Sequence, residues 1–256
     1  ARLSAESGEM EMVTTILMPL QNPVALAEEI ATLDVITNGR IIVAAALGYR
    51  DEEYEAFGVT RKDRIARMLE TITLMEVLWG EKEVTFRGRF TNVTRAHLGI
   101  KTVQKPHPRI WLAANGDSMV RRIGRMGYSW YLNPHARFVT LSRQVEIYKA
   151  ARAEAGHPPA DILPMARETF VAETTQKAID IARPFLQGKY KSYAEWGQAK
   201  ALPGNEDFNV GFQELSKDRF IVGNPGEVIA DLTRFRNIGV SHATLRFGWP
   251  GTPKKE

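Results

Sequence analysis

Few stretches of this chain have residue types and spacing suited to chemistry. The run Ile110-Trp111-Leu112-Ala113-Ala114 reads as a buried strand that passes through Asn115-Gly116-Asp117-Ser118 into a helix. Small residues at such a turn let a phosphate reach the amides of a first helical turn. The same residues also suit plain capping by Asp117 or Ser118. The turn lacks the glycines and the lysine of a dinucleotide or P-loop motif. The five histidines, His97, His107, His135, His157 and His242, never fall at metal-ligand spacing, so no metal site is expected. His135 follows an apolar run, Tyr128 to Leu132, which makes it a candidate catalytic residue or a solvated loop histidine. No serine elbow is visible, and Asp51-Glu52-Glu53 reads as a charged loop, not a catalytic carboxylate pair.

The chain has 256 residues and no cysteine, which excludes disulfide scaffolds, thiolate metal sites and cysteine nucleophiles. Its 34 basic residues interleave with 30 acidic ones, as in Arg61-Lys62-Asp63-Arg64, a solvated surface and not a nucleic-acid stripe. The longest purely apolar run, Ile41 to Leu47, is far shorter than the ~20 residues of a membrane span. The start, Ala1 to Glu6, has neither an initiator Met nor an apolar signal core, so a cytoplasmic protein is expected.

The elements that must position these residues alternate. Buried strands are expected at Met10 to Met18, Ile41 to Leu47, Ile110 to Ala114, Tyr128 to Leu132, Leu163 to Ala172 and Ala243 to Phe247. Asn22 and Pro23 open a helix carrying Leu26, Ile30 and Leu33 on one face, and Gly39 closes it. Thr60 and Asp63 start a long helix ending at Gly80 through a capping box. Val84 to Phe90 reads as a small hairpin or excursion, not a barrel strand. Further helices are expected near 117–126, 138–155, 175–186, 208–215 and 225–237. Tyr49 to Gly58 reads as a loop, and Gly188 to Asn209 as an irregular, mobile lid. Six strands, all but the last followed by a helix, give an α/β fold, either a parallel (β/α)8 barrel or a doubly wound sheet, in one domain over 1–256. A barrel closes on eight strands, so two strand–helix units would precede Ala1 in a protein of roughly 320 residues.

Several segments in order resemble the bacterial luciferase-like family of flavin-dependent monooxygenases and reductases. They are Asn22-Pro23-Val24-Ala25-Leu26-Ala27-Glu28, Thr32-Leu33-Asp34, Asn38-Gly39-Arg40, Gly48-Tyr49 and Tyr54-Glu55-Ala56-Phe57-Gly58. Phe86-Arg87-Gly88-Arg89-Phe90, Pro106 to Trp111, Val222 to Glu227 and Phe247-Gly248-Trp249-Pro250-Gly251 extend the match. The resemblance implies a TIM-type (β/α)8 barrel whose first two strand–helix units lie before Ala1. It implies a bulge, often with a non-prolyl cis peptide, at Thr14-Thr15 beneath a flavin ring, and places the FMN phosphate at Ala114, Asn115, Gly116 and Ser118. Luciferase carries a Cys and then an Arg where this chain has Ala46 and Leu47, so Arg50 is the expected substitute for the lost charge near Ala46.

The activity so implied is FMN-dependent oxygenation of a small organic substrate by O₂, with reduced flavin supplied by a separate reductase. The family's catalytic His, when present, sits after the second strand, which is expected to lie before Ala1, so no acid–base residue is assigned beyond the candidate His135. The apolar strand ends Leu17, Met18, Ala45, Ala46 and Phe247 are expected to line a dry pocket for an aliphatic or aldehyde-like substrate. The alternatives are hydride transfer from a deazaflavin coenzyme on the same barrel and a non-catalytic flavin-binding relative. A homodimer is expected, with Leu26, Ile30 and Leu33 at the contact or packed on the barrel. No nucleic-acid or membrane partner is expected.

Overall fold

The computed structural model describes residues 2–204 and 206–252, which divide between Leu112 and Ala113 into two compact units. The first holds a short helix α1 (Arg2–Glu6), β1 (Met12–Leu17), α2 (Pro23–Ile36), β2 (Ile41–Ala46), α3 (Asp51–Ala56), α4 (Arg64–Gly80), the hairpin β3 (Val84–Arg87) and β4 (Asn92–Ala96), and most of β5 (Arg109–Ala114). β1 pairs β2 and β2 pairs β5, both in parallel. The first five residues of β2 are buried, as a strand covered on both faces requires.

Asn22 caps α2 with Oδ1 accepting from the Val24 and Ala25 amides at 3.0 and 3.1 Å. The helix stops where Asn38 (φ 51°) and Gly39 (φ 79°) turn left-handed, a conformation glycine adopts without a Cβ penalty. Leu26 and Ile30 are buried, α2 packs on α4, and Trp79 Nε1 donates to the Ala27 carbonyl at 2.9 Å. Leu26 and Ile30 are therefore covered, while Leu33 is half-buried. Asp34 is fully buried and accepts from the Val103 and Gln104 amides and Gln104 Nε2 at 2.7 to 2.9 Å, fixing the approach to β5.

Two expectations fail here. Tyr49 to Gly58 contains α3, which looked like loop because only Tyr54 is buried, its hydroxyl donating to the Leu47 carbonyl. Three acidic residues in its first turn complement the helix dipole. Thr60 and Asp63 form no capping box: a 3₁₀ turn (Arg61–Asp63) intervenes and Asp63 pairs with Arg89 at 2.8 Å.

The second unit runs from the end of β5 through α5 (Asp117–Met126), β6 (Ser129–Leu132), α6 (Phe138–Glu154), β7 (Pro164–Val171), α7 (Thr175–Glu195), α8 (Phe212–Ser216), β8 (Ile221–Gly223), α9 (Pro225–Asn237) and β9 (His242–Arg246). β7 pairs in parallel with β6, with β9 along 164–168 and with β8 along 169–171. All six expected strands are present, and β8 is an addition too short to show periodicity. Asn224 and Glu227 form a reciprocal capping box at α9.

The expected lid is corrected. α7 continues to Glu195 and a 3₁₀ turn (Gln198–Ala201) follows, so half of Gly188 to Asn209 is helical. Leu186 and Tyr190 are fully buried, four residues apart, and the Tyr190 hydroxyl donates to the Pro134 carbonyl at 3.1 Å. Gly188 and the polar residues between them masked this spacing. Among the described residues no helix is long and apolar enough to cross a membrane.

Candidate functional site

Strand β5 delivers Ala114, Asn115 and Gly116 to the start of α5. Gly116 is the N-cap residue and makes no side-chain cap hydrogen bond. The capping role open to Asp117 and Ser118 is not used. Asp117 is instead held by Arg143, whose Nη1 and Nη2 donate to its two oxygens at 2.7 and 2.9 Å, and by Gln144 Nε2 at 2.9 Å. Those donors, Arg143 first, hold the Asp117 carboxyl below its usual range. Gln144 Nε2 also reaches the Asn115 carbonyl at 2.8 Å. Trp130 Nε1 and Asn133 Nδ2 donate to the Ala114 carbonyl at 3.2 and 3.4 Å. A Cβ built at Gly116 would meet nothing nearer than the Ala201 carbonyl oxygen at 3.9 Å. Ser118 is exposed. The turn thus keeps an open, uncapped first turn while its one carboxylate is neutralised from the side, which fits a phosphate.

In the first unit, Thr14 and Thr15 lie in six unbroken one-to-one pairs of β1 with β2, opposite Val43 and Ala44. The expected bulge is absent because the ladder has no extra residue. The expected cis peptide is absent too: among the described residues the cis bond is Lys105–Pro106. Both threonines line a cavity of about 420 Å³ with Leu17, Leu20, Ile30 and Phe57. Ala46 is half-buried at the end of β2, and Arg50 precedes α3 with Nη1 3.4 Å from Glu53. Met18 and Ala45 are fully buried in the core, so these two expected pocket residues open onto nothing. Met18 begins a 3₁₀ turn packed on α4.

The second unit gathers a charged cluster around β6, β7 and β9. His135 is buried against Tyr190, Tyr193 and Phe208, with ring centroids 4.8 to 6.2 Å apart. Its Nδ1 has no hydrogen-bond partner among the described residues. Burial, then the charges of Arg246, Lys189, Arg167 and Arg219, push its pKa down to about 3, so the imidazole is neutral. Asn133 Oδ1 accepts from the His135 and Ala136 amides, and Arg219 Nε donates to the His135 carbonyl. Arg219 pairs with Glu206 at 2.8 Å, and Glu206 accepts from the Arg137 amide and Thr140 hydroxyl at the start of α6. Glu168, fully buried on β7, accepts from Lys189, Arg246 and Trp249.

Of the predicted site residues, the structure gathers Ala114, Asn115, Gly116 and Ser118 in one turn and Thr14 and Thr15 at one cavity. His135 is present, but as an enclosed neutral ring rather than a solvated one. Sequence reasoning missed Asn133, whose Asn-Pro step after a strand signals a side-chain-stabilised turn. It also missed Glu168, Lys189, Arg219 and Arg246, which carry no local signal.

Parallel strands alternating with helices, with polar residues gathered at strand ends, define an α/β protein of the TIM-barrel type. The family model for luciferase-like monooxygenases matches residues 1–242, and the chain belongs to that family. It is similar to a phthiodiolone/phenolphthiodiolone dimycocerosates ketoreductase of Mycobacterium bovis, 26% identical over 253 residues, covering 88% of this chain and 66% of the relative. The chain therefore spans just under two thirds of that relative's length. Among solved structures it is similar to the monooxygenase RslO1 of Streptomyces bottropensis, with TM-score 0.79 and 25% identity over 96% of this chain and 74% of the other. A type II Baeyer–Villiger monooxygenase of Pseudomonas putida in complex with FMN gives TM-score 0.77 and 19% identity over 96% and 76%. An F420-dependent secondary alcohol dehydrogenase gives 0.73 and 21% over 92% and 73%.

Proposed function

We propose that the chain is the site-bearing part of a flavin-dependent oxidoreductase that binds FMN by its phosphate and oxygenates a small organic substrate with O₂. The observation that carries this reading is the uncapped first turn of α5, with Asp117 drawn aside by Arg143 and Gln144. The amides at Gly116 to Ser118 receive the phosphate, and the positive end of the helix stabilises it. In the first unit, Arg50, Ala46, Thr14 and Thr15 are the residues that the family resemblance assigns to the flavin. FMN, when bound and reduced, supplies the electrons for activating O₂. His135, neutral and dry, helps exclude water and does not act as a cationic general acid near neutral pH. A separate reductase delivers the reduced flavin, and the working form is a cytoplasmic homodimer.

A second reading, hydride transfer from a deazaflavin coenzyme to or from a carbonyl, is favoured by the similarity to a ketoreductase and to an F420-dependent dehydrogenase. Titrating the protein with FMN and with F420 under fluorescence detection separates the two. FMN quenching that is weakened at least about tenfold by Ser118→Asp supports the first reading, because a like charge now faces the phosphate. Saturable binding of F420 alone supports the second. Arg50→Ala with unchanged FMN affinity removes Arg50 from the site.

A further inference from the structure

β7 and β9 are parallel neighbours in a register that sets Glu168 directly opposite Arg246. Three donors converge on the Glu168 carboxylate. Lys189 Nζ lies 2.7 Å and Arg246 Nη1 3.4 Å from Oε1, and Trp249 Nε1 lies 2.7 Å from Oε2. The carboxylate has no exposed surface, and the Lys189 side chain keeps 14% of its own, whereas that of Arg246 keeps 37%. One negative charge therefore faces two positive ones, and the excess resides on the guanidinium that opens to solvent. The neighbouring groups do not cancel it. His135 is uncharged, Arg219 takes the carboxylate of Glu206, and Arg167 donates to the Asn133 and Ala136 carbonyls and makes no ion pair among the described residues. Among the described residues, Arg167, Lys189, Arg219 and Arg246 thus stand against the two carboxylates Glu168 and Glu206 in this cluster. Unbalanced charge out of water is costly, and a site that accepts an anion is the arrangement that offsets it. Arg246 is spent on Glu168 through Nη1 alone, so the rest of its fork is left for a planar, two-oxygen partner.

We propose that Arg246, steadied by Glu168 and backed by Lys189, is a specificity-determining residue that takes a carboxylate group of the organic substrate. The aliphatic or aldehyde-like substrate expected from apolar strand ends is thereby refined to an organic acid. The word substrate rests on the flavin reading above; the anion site itself does not. Glu168 holds the guanidinium in place, and the indole of Trp249 closes the other side of the carboxylate, so that the charge offered to the ligand does not collapse inward.

The test is calorimetric titration of the protein with hexanoate, hexanamide and inorganic phosphate. Hexanoate is expected to bind at least about tenfold more tightly than hexanamide, and Arg246→Gln to raise the hexanoate Kd at least about tenfold while leaving hexanamide and the melting temperature unchanged. Arg246→Lys, which keeps the charge and loses the fork, should fall between. Equal affinity for acid and amide, or an Arg246→Gln variant that binds hexanoate like the parent, overturns the proposal. So does phosphate that displaces hexanoate together with an Arg246→Gln loss of FMN affinity, since the cluster would then serve the cofactor. FMN binding is followed separately by fluorescence. Carboxylate binding that depends on Arg246 without FMN binding refutes the flavin reading and keeps the anion site; the reverse pattern keeps the flavin and removes the site.

Discussion

The turn into α5 and the cluster around Glu168 lie in the same unit and solve opposite electrostatic problems. At the turn the attraction for an anion comes from backbone dipoles, and the only side-chain charge, Asp117, is paired off to the side. Around Glu168 the attraction comes from side chains gathered from β7, α7, β9 and the segment after it, and the backbone plays little part. The first device is built by consecutive residues and tolerates solvent. The second depends on residues up to 81 positions apart and exists only because burial raises the cost of leaving a charge unmatched.

If that contrast is right, loss of a fully buried ion pair should show in stability, and damage at the turn or at the solvent-facing Arg246 should show in binding. The largest effect is expected at the Arg219–Glu206 pair, whose side chains are 0% and 5% exposed. Glu206→Ala leaves a buried guanidinium uncompensated and deprives the Arg137 amide and Thr140 hydroxyl of their acceptor, which should cost about 3–5 kcal/mol in urea denaturation. A loss below about 1 kcal/mol would break the comparison, since the cluster would then behave like a surface.

Next comes pH. His135 has a folded pKa near 3 against an ordinary 6.5, so the native state binds fewer protons than the unfolded chain between those values. Its neutral form contributes stability fully present above pH 6.5 and lost as pH falls toward 3, at up to about 1.4 kcal/mol per pH unit. Denaturation at pH 6.5, 5.5 and 4.5 should show this decline, and His135→Gln should flatten it.

Smaller changes sharpen the turn's side. Ser118→Asp places a carboxylate in the first turn of α5. It should add about 0.3–1 kcal/mol of stability while weakening FMN at least about tenfold, opposite signs that a merely structural turn would not give. The smallest effect is expected from Asp117→Asn, because Arg143 is half exposed and screened: below about 1 kcal/mol in stability, with FMN affinity unchanged or improved.

Local signals made much of the fold readable. The runs that became β2 and β5 are apolar enough to declare themselves, Asn22-Pro23 announced a helix start that the structure bears out, and the helix expected near 225–237 is present. The extent of α7 was not readable, since Gly188, Lys189 and Lys191 argue against continuing a helix that is held by Tyr190 inside an aromatic cluster. Thr14-Thr15 shows the reverse case: a strained bond implied by likeness alone, where the ladder runs straight.

From the sequence alone came the order of strands and helices and the one turn whose amides begin a helix behind a buried strand, because strand and cap preferences are set by neighbours a few residues apart. Only the tertiary structure decided that Glu168 meets Lys189, Arg246 and Trp249, that His135 is neutral, and that Asp117 looks away from its own helix. Those outcomes depend on which charges lose water together, and chain order does not carry that information.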